Sequence, residues 1–483
     1  EQDNRNYAKF AKIPMLEPSD SQEAKDFIKL AFDLSEKFDT PVFLRTTTRV
    51  SHSKSVVRLE PKATIEDRTD IRHLPLKYVM VPVNARARRL EVEKRMQALQ
   101  EWAETFPGNR VELNSPEVGI ITAGMPYNYA KDAFPGYSCL KLGMVHPLPE
   151  RLIRDFASKV KKLYVVEELD PFIEEQVKAM GIEVTGKAVF PYTNEFDPGV
   201  VEKAVTGKSS APIVELPTIP PRPPNLCPGC PHRALFYALN KTEAFVSGDI
   251  GCYTLSYMKP LSGMDSCVCM GASIGIAHGM SKALGPKGKG KVVGVIGDST
   301  FIHSGITPLL NAAYNRSNAV FIIADNRTTA MTGMQEHPAT GQTLQGEKTK
   351  ELDFAALGKV LGVERVEVID PLQFKNTAEV LKRELGKEGP SLIISRSPCV
   401  LLMSRKAAHA GHFYADPDKC IGCKVCLSCG CPAISWKDFE KAGMPPRPDR
   451  KKQKGIAVID ASLCTGCTLC AQLCRQEAIM REG

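Results

Sequence analysis

The sequence predicts a multidomain α/β protein with parallel sheets, followed by a small cysteine-rich α+β domain at the C-terminus. Its 483 residues are enough for about three domains at roughly 150 residues each. Continuous apolar runs alternate with helix-like segments along most of the chain, as expected for parallel strands that are buried on both faces. Nine of the 16 cysteines lie between residues 420 and 474. Hydrophobic periodicity is poor there, so we expect metal to order that domain.

The composition excludes several classes of protein. Hydrophobic residues make up 43% of the chain and charged residues 24%, which is ordinary for a folded protein and argues against disorder. No apolar stretch approaches the roughly 20 residues of a membrane-spanning helix, and a net charge of +8 is modest for a nucleic-acid-binding protein. The chain begins without a secretory pattern. We therefore expect a cytoplasmic protein with free thiols and no nucleic-acid or membrane partner.

The first half of the chain is predicted to contain two α/β segments. A helix-like run after Ser19 and an apolar strand at 42–44 predict that residues 1–60 are the C-terminal part of a domain whose start is missing. Residues 61–111 are predicted to be a helical linker. Apolar runs at 118–123 and 163–166 flank a helix-like segment, which predicts an α/β domain over residues 112–205.

A proline-rich linker and two further domains are predicted in the second half. Six prolines between residues 208 and 224 predict an extended linker over 206–224. Apolar runs at 291–296, 319–323 and 392–394 predict a parallel sheet in a domain of residues 225–405. Residues 410–483 form the predicted cysteine-rich domain.

The last four cysteines have the spacing of a bacterial ferredoxin cluster motif. Cys464, Cys467, Cys470 and Cys474 are separated by two, two and three residues, and only Arg475 differs from the motif, which has proline there. An upstream run, Cys420, Cys423 and Cys426, repeats this pattern, with Cys431 and its following proline four residues further on. Cys429 is an extra thiol within that run.

Two [4Fe-4S] clusters are predicted from this arrangement. In two-cluster ferredoxins the fourth cysteine of each run binds the other cluster. Site I is therefore predicted to be Cys420, Cys423, Cys426 and Cys474, and site II to be Cys431, Cys464, Cys467 and Cys470. Cys429 competes with Cys431, which we favour because a proline follows it. A pair of zinc knuckles is the alternative, with four sulfurs per ion.

A second motif lies at the predicted sheet edge of residues 225–405. Gly297, Asp298 and Ser299 follow one apolar run, and Asn326 follows the next, with 25 residues between Thr300 and Ala324 inclusive. The carboxyl ends of parallel strands meet at one edge, where α/β sheets bind ligands. A carboxylate and an amide oxygen there are suitable ligands for Mg2+. Two ordinary strand-end turns are the alternative.

This pair of motifs resembles the magnesium and thiamine diphosphate motif of thiamine enzymes. The resemblance implies that Asp298, Asn326 and the backbone carbonyl of Thr328 bind Mg2+, and that Gly297 and Ser299 contact the cofactor. Gly271 and Ser273 are expected to contact the cofactor. Gly271 and Gly275, near Ser273, would allow its close approach to the backbone, although helix packing also explains both glycines. His303 is a candidate for proton transfer near the reacting carbon, with an exposed structural histidine as the alternative.

Four more segments resemble the thiamine-diphosphate-dependent 2-oxoacid:ferredoxin oxidoreductases. They are residues 226–233, 248–252, 270–273 and 329–333. With a two-cluster ferredoxin module on the same chain, the whole most resembles the alpha subunits of the branch that acts on indolepyruvate. The resemblance implies a pyrimidine-binding domain ending at residue 60, a transketolase C-terminal-like domain at 112–205 and a thiamine diphosphate and magnesium domain at 225–405. The family's activating glutamate would lie in the missing start.

The resemblance also implies the reaction and the partners. Aryl 2-oxoacids such as indolepyruvate would be oxidatively decarboxylated with coenzyme A, giving aryl-acyl-CoA, CO2 and reduced ferredoxin. A smaller beta subunit would complete paired heterodimers. Another 2-oxoacid substrate (pyruvate, 2-oxoglutarate or a branched-chain acid) is one alternative, and a non-catalytic iron–sulfur electron-transfer subunit is another.

Two further features have competing interpretations. Cys227, Cys230, Cys252 and Cys399 (site III) resemble the ligands of a third cluster in related enzymes, whereas buried free thiols or a zinc site that includes Cys267 and Cys269 are the alternatives. Basic residues at 447–454 are either a solvated loop or a docking surface for an acidic ferredoxin.

Overall fold

A computed structural model describes residues 3–61, 73–208, 219, 222–402, 411–443 and 453–482. The chain divides into two units, Glu1–Thr218 and Ile219–Gly483. The division falls within the predicted linker at 206–224, most of which lies outside the described residues, as does most of the basic segment at 447–454. No helix in the described ranges is long and apolar enough to cross a membrane.

The first unit contains two sheets. A four-stranded sheet has the order β3-β5-β4-β7, in which β4 pairs in parallel with β5 and β7, and a three-stranded sheet has the order β2-β1-β6. The strands are β1 (Met15–Leu16), β2 (Phe43–Leu44), β3 (Arg110–Glu112), β4 (Val118–Ala123), β5 (Ser138–Leu142), β6 (Met144–His146) and β7 (Lys162–Val166). The helices are α1 (Arg5–Ala11), α2 (Ser21–Phe38), α3 (Thr48–His52), α4 (Pro75–Tyr78), α5 (Pro82–Ala103), α6 (Met125–Ala133), α7 (Glu150–Ser158), α8 (Phe172–Ala179) and α9 (Pro198–Thr206).

Local sequence signals account for the long elements of this unit. Helix α2 begins where the Asp20 carboxylate accepts the Glu23 N–H at 2.8 Å, and Glu23 in turn accepts the N–H and hydroxyl of Ser19, so that the first turn is capped reciprocally. Strand β4 covers the apolar run predicted at 118–123, and the strand predicted at 163–166 is β7.

The short strands connect segments that the sequence separates. Strand β3 spans the expected boundary between residues 111 and 112, and β6, from the second expected segment, pairs antiparallel with β1 of the first. Strands of two or three residues leave no hydrophobic pattern long enough to recognise, because register and pairing partners are decided by tertiary contacts. Residues 1–60 and 112–205 therefore share one sheet within one unit.

The second unit is built on a five-stranded, fully parallel sheet of order β11-β12-β10-β9-β8. Its strands are β8 (Phe245–Ser247), β9 (Val292–Gly297), β10 (Val320–Asp325), β11 (Arg365–Ile369) and β12 (Ser391–Arg396). Its helices are α10 (Pro231–Leu239), α11 (Ala272–Leu284), α12 (Asp298–Thr300), α13 (Ile306–Tyr314), α14 (Phe354–Val360) and α15 (Phe374–Leu385). Every residue of β9 and β10 is buried, as expected for continuous apolar strands covered on both faces.

The cysteine-rich module belongs to the same unit. It consists of two antiparallel pairs, β13 (Phe413–Ala415) with β16 (Ile479–Arg481) and β14 (Ile434–Asp438) with β15 (Gly455–Ile459), and of helix α16 (Leu469–Leu473). The Gln472 amide joins it to the parallel-sheet domain, donating to Leu372 O at 2.7 Å and accepting the Phe374 N–H at 3.0 Å. The Tyr237 hydroxyl lies 3.0 Å from Ser428 Oγ at the same interface.

A buried carboxylate at the end of α15 fixes the start of β12. Glu384 accepts hydrogen bonds from Lys387 at 2.8 Å, Arg383 at 2.9 Å and Ser391 at 2.8 Å. Burial alone would raise the pKa of Glu384, but the hydrogen bonds from Lys387, Arg383 and Ser391 outweigh it and lower the pKa to about 2. The ionised carboxylate therefore stabilises the folded unit.

Replacing Glu384 with glutamine should lower the free energy of unfolding by about 2–3 kcal/mol at pH 7. The folded-state pKa is depressed, so this contribution is present above about pH 4.5 and is lost as the pH falls toward 2. Urea unfolding midpoints at pH 7, 5 and 3 measure it. Glu379→Gln, an exposed position on the same helix, is the matched control, and equal midpoints for the two variants at pH 7 would contradict the prediction.

Candidate active site and cluster sites

Two neighbouring parallel strands bring the predicted magnesium ligands together. Ala324 of β10 is aligned with Gly297 of β9, so the residues that follow both strands lie at the same edge. The Asp298 carboxylate accepts the Ser299 N–H at 2.8 Å through Oδ1 and the Arg327 N–H at 2.9 Å through Oδ2. These backbone bonds hold the carboxylate in one orientation beside Asn326.

A buried histidine orients the Asn326 amide. Asn326 Nδ2 lies 3.2 Å from His232 Nε2, and Asn326 Oδ1 accepts the Thr328 N–H at 3.2 Å. Burial lowers the pKa of His232 to about 4, although Asp298 opposes that shift. The neutral imidazole can therefore accept the amide N–H, which leaves the harder amide oxygen for a cation.

Sequence reasoning did not identify His337, which lies against the same carboxylate. Its Nε2 is 3.2 Å from Asp298 Oδ2 and its side chain is buried. His337 Nδ1 accepts the Ala339 N–H at 3.3 Å, so the ring proton belongs on Nε2 and faces Asp298. No spacing or neighbouring motif marks this histidine, because a loop returning from β10 brings it to the site.

A cavity of about 110 Å³ opens at this edge of the sheet. Of the predicted cofactor and metal residues it is lined by Gly297, Asp298, Ser299, Asn326 and Thr328. The turn before Asp298 is held by Tyr253, whose hydroxyl accepts the Gly297 N–H at 2.8 Å. Paired carboxylate and amide oxygens at a strand-end cavity are a donor set that suits Mg2+ and a diphosphate.

Gly271 and Ser273 do not line this cavity. Their backbone N–H groups are bonded by the buried Asp249 carboxylate, at 2.9 and 3.0 Å for Gly271 and 3.2 Å for Ser273. Asp249 thus occupies the start of helix α11. The Ser273 hydroxyl is buried with no hydrogen-bond partner, and a direct contact of either residue with the cofactor stays a prediction.

His303 lies outside the cavity lining. It is exposed on a π-helical turn, Phe301–Gly305, and its Nδ1 bonds the hydroxyl of the neighbouring Ser304. The turn follows Asp298 directly, so the residue is close to the site in sequence. A role for His303 in proton transfer also stays a prediction.

The four predicted site I cysteines line a second, small cavity of about 20 Å³. Cys474 Sγ accepts the Ala478 N–H at 3.3 Å, the kind of backbone bond that stabilises a sulfur ligand. Burial raises the pKa of Cys426 to about 12, with Cys420, Cys423 and Cys474 adding to the shift. In the described residues, no three His, Cys, Asp or Glu side chains converge closely enough for a single metal ion.

The site II cysteines are also neighbours. Burial raises the pKa of Cys470, and the nearby Cys467, Cys431 and Cys464 contribute to the shift. Cys464 Sγ accepts the Phe413 N–H at 3.4 Å. Cys429 lies in the same group, but its thiol donates to Cys426 O at 3.0 Å and is 1% exposed.

Site III lies between the strand-end cavity and the cysteine-rich module. Cys252 lines the cavity, and the Cys399 N–H donates to Asn326 O at 2.9 Å. Burial raises the pKa of Cys230 to about 12, with Cys227 and Cys399 adding to it. Cys399 and Cys227 also raise the pKa of Cys252, so the four thiols are neighbours beside the predicted magnesium ligands.

Comparisons with known proteins agree with this geometry. Residues 249–395 match the family model "Thiamine pyrophosphate enzyme, C-terminal TPP binding domain", and residues 457–480 match "4Fe-4S binding domain". The indolepyruvate oxidoreductase subunit IorA of Archaeoglobus fulgidus is 41% identical over 507 residues, covering 99% of this chain and 78% of that protein. IorA of Methanothermobacter thermautotrophicus is 38% identical, with 100% and 79% covered, and IorA of Pyrococcus abyssi is 38% identical, with 100% and 80% covered.

The chain belongs to the IorA family of indolepyruvate oxidoreductase subunits. Membership confirms the predicted family and makes this chain part of a 2-oxoacid oxidoreductase. The thiamine-binding domain of this IorA-family chain contains Asp298 and Asn326, and its matched iron–sulfur motif contains the last four cysteines. Thiamine diphosphate and iron–sulfur clusters are therefore its cofactors.

Replacing His232 with leucine should weaken binding of the magnesium and thiamine diphosphate pair about tenfold, because the Asn326 amide loses the acceptor that orients it. Isothermal titration of thiamine diphosphate at fixed Mg2+ measures the affinity. His303→Leu, exposed and outside the cavity lining, should bind within twofold of the wild type. An unchanged affinity in His232→Leu would show that Asn326 is oriented by other contacts.

Proposed function

We propose that this IorA-family chain carries the thiamine diphosphate and electron-transfer sites of a ferredoxin-dependent aryl 2-oxoacid oxidoreductase. Each aryl 2-oxoacid anion and one coenzyme A thiol give an aryl-acyl-CoA thioester, CO2, one proton and two electrons. Two oxidised ferredoxins each accept one electron, which balances the reaction. The names of the relatives support indolepyruvate and other arylpyruvates as substrates.

One observation carries the proposal: the strand-end cavity is next to site III, and site III is next to site II. Cys252 belongs to site III and lines the cavity. Gly229, from the loop between Cys227 and Cys230, meets the site II loop, since a Cβ there would lie 2.1 Å from Thr465 Oγ1, and its backbone lowers the pKa of Cys431. A decarboxylase that protonates its product needs no such series of thiols, whereas two electrons that leave singly need adjacent one-electron carriers.

The residues of this chain hold and orient the reactants. Asp298, Asn326 and the carbonyl of Thr328 would bind Mg2+, with His232 orienting the Asn326 amide. Thiamine diphosphate, when bound, supplies the carbanion and the electron sink for decarboxylation. Exposed apolar side chains line the cavity at Ile250, Met270 and Met331, which supports a flat, apolar aryl group over a small or charged 2-oxoacid.

The partners follow from the same proposal. The word subunit in the names of the relatives supports a partner chain, and we propose that it is a smaller beta subunit that forms paired heterodimers with this chain. Ferredoxin would receive electrons from the cysteine-rich module. Coenzyme A would be the acyl acceptor.

Arylpyruvates should reduce ferredoxin with a kcat/KM at least tenfold above that for pyruvate, 2-oxoglutarate or branched-chain 2-oxoacids. The assay uses the full chain with its smaller subunit, thiamine diphosphate, Mg2+ and coenzyme A, and follows ferredoxin reduction by absorbance. Asp298→Asn should lower kcat/KM at least a hundredfold because a metal ligand loses its charge.

Three outcomes would contradict this function. Faster turnover of pyruvate or 2-oxoglutarate than of arylpyruvates would show that the substrate is another 2-oxoacid. CO2 release without cluster reduction would indicate a decarboxylase. Failure to bind thiamine diphosphate with Mg2+ would indicate a non-catalytic electron-transfer subunit.

Iron analysis tests the proposed ligand sets. With sites I, II and III each holding a [4Fe-4S] cluster, the chain should contain about twelve irons. Cys431→Ala should lower this by about four, and Cys429→Ala should leave it unchanged, because Cys429 already donates to Cys426 O. Cys139→Ala is the matched control, a buried free thiol in the first unit.

The iron counts separate the alternatives. About eight irons in the wild type would show that site III holds no cluster and that its cysteines are free thiols. Loss of about four irons in Cys429→Ala, with full iron in Cys431→Ala, would exchange the two assignments in site II.

A further inference from the structure

Arg233 is a buried cation at the junction of the thiamine-binding domain and the cysteine-rich module. It is the third residue of helix α10 and is 2% exposed. Its Nη1 donates to Cys429 O at 2.9 Å, and its Nη2 donates to Leu226 O and, at 3.4 Å, to Cys227 O. One guanidinium thus touches the backbone of both cysteine-bearing segments.

Among the described residues, no carboxylate pairs with this cation. All its hydrogen bonds within the described residues go to backbone carbonyls, and its buried Nε–H has no acceptor at all. Guanidinium stays protonated in proteins. A buried charge is costly unless an opposite charge lies near it, so the surroundings of Arg233 must supply negative charge of another kind.

The segments around Arg233 carry the cysteines of sites II and III. Its Nη1 donates to the carbonyl of Cys429, two residues before Cys431, and a Cβ on the intervening Gly430 would lie 3.2 Å from the same nitrogen. Its Nη2 reaches the carbonyl of Cys227 in site III. Four thiolates around a [4Fe-4S] core leave a net negative charge, and each added electron increases it.

The two cysteine-bearing loops meet in direct contact beside Arg233. Gly229 has a φ of +74°, and a Cβ there would lie 2.1 Å from Thr465 Oγ1, in the loop between Cys464 and Cys467. Only glycine allows this backbone conformation together with so close an approach. The contact brings the two loops together beside the guanidinium, which is 2% exposed, and a buried charge acts strongly on its neighbours.

We propose that Arg233 is the counter-charge of the site II cluster, and that it raises the reduction potential of that cluster so that it accepts electrons from the thiamine side. Reduction adds negative charge next to a permanent cation, which favours the reduced state. Arg233 is not a catalytic residue in this role, because it affects the reaction only through the effect of its charge on the cluster. The proposal rests on the cluster sites of the proposed function.

The test is a redox titration of the full chain, monitored by electron paramagnetic resonance without substrate. In Arg233→Gln the reduction equilibrium of site II should fall at least tenfold, which is 59 mV for a one-electron couple, while site I changes less than twofold. Arg233→Lys retains the charge and should stay within about threefold of the wild type. Cys470→Ser assigns the signals, because it alters the site II spectrum alone.

Tyr237→Phe is the matched control. It removes one hydrogen bond of the same helix across the same interface, to Ser428, without changing charge. Its site II equilibrium should stay within twofold of the wild type. A purely structural role of Arg233 would affect iron retention and stability but would not move the potential of a retained cluster.

The outcomes decide the proposal in each case. A site II equilibrium within twofold of the wild type in Arg233→Gln, with full iron, would overturn it. A tenfold fall in Arg233→Lys would also overturn it, because charge alone would then not set the potential. Should Arg233→Gln lose site II iron, a normal potential in Arg233→Lys supports the proposal. The redox titration uses no substrate, so it is independent of the turnover assay. If the variants shift the site II potential as expected but the wild type does not oxidise arylpyruvates, only the proposed function is overturned.

Discussion

The parallel register of β9 and β10 is the constraint on which the active site depends. Alignment of Gly297 with Ala324 ends the two strands side by side, so that Asp298 and Asn326 share one edge although 27 residues separate them in the chain. The backbone bond from Arg327 to Asp298 is possible only in this register. A shift of one residue would turn the buried apolar side chains to the opposite face of the sheet and separate the two ligands.

Helix α10 connects the two kinds of chemistry in the second unit. Its consecutive residues His232 and Arg233 face different sites: the imidazole bonds Asn326, and the guanidinium bonds the Cys429 carbonyl of the cysteine-rich module. Because successive residues of a helix point about 100° apart, two consecutive side chains of one short helix can contact both sites. A change in the packing of α10 would therefore alter the predicted magnesium ligands and the surroundings of the predicted site II cluster together.

The buried thiols make metal part of the folded structure. Burial raises the pKa of Cys426, a proposed site I ligand, to about 12, so iron that binds there would have to displace its proton. In the described part of the cysteine-rich module, the regular elements are two short antiparallel strand pairs, one five-residue α-helix and the short helix Val425–Cys429. Its small apolar core includes Cys426 and Cys464 themselves. Assembly of the clusters and completion of this core are thus one process.

The sequence by itself determined the class of fold, the family and the two motifs, because these depend on residues close together in the chain. The strand runs before Asp298 and Asn326 and the cysteine spacings are local patterns that report burial and ligand geometry directly. Tertiary structure alone decided the positions of His337 and Arg233, the anchoring of Gly271 and Ser273 by Asp249, and the pairing of β6 with β1. Those contacts join segments far apart in the chain, and the physical reason they could not be foreseen is that single histidines, arginines and three-residue strands carry no periodicity. The roles of such single side chains depend on the charges and unpaired polar groups that surround them in the folded protein.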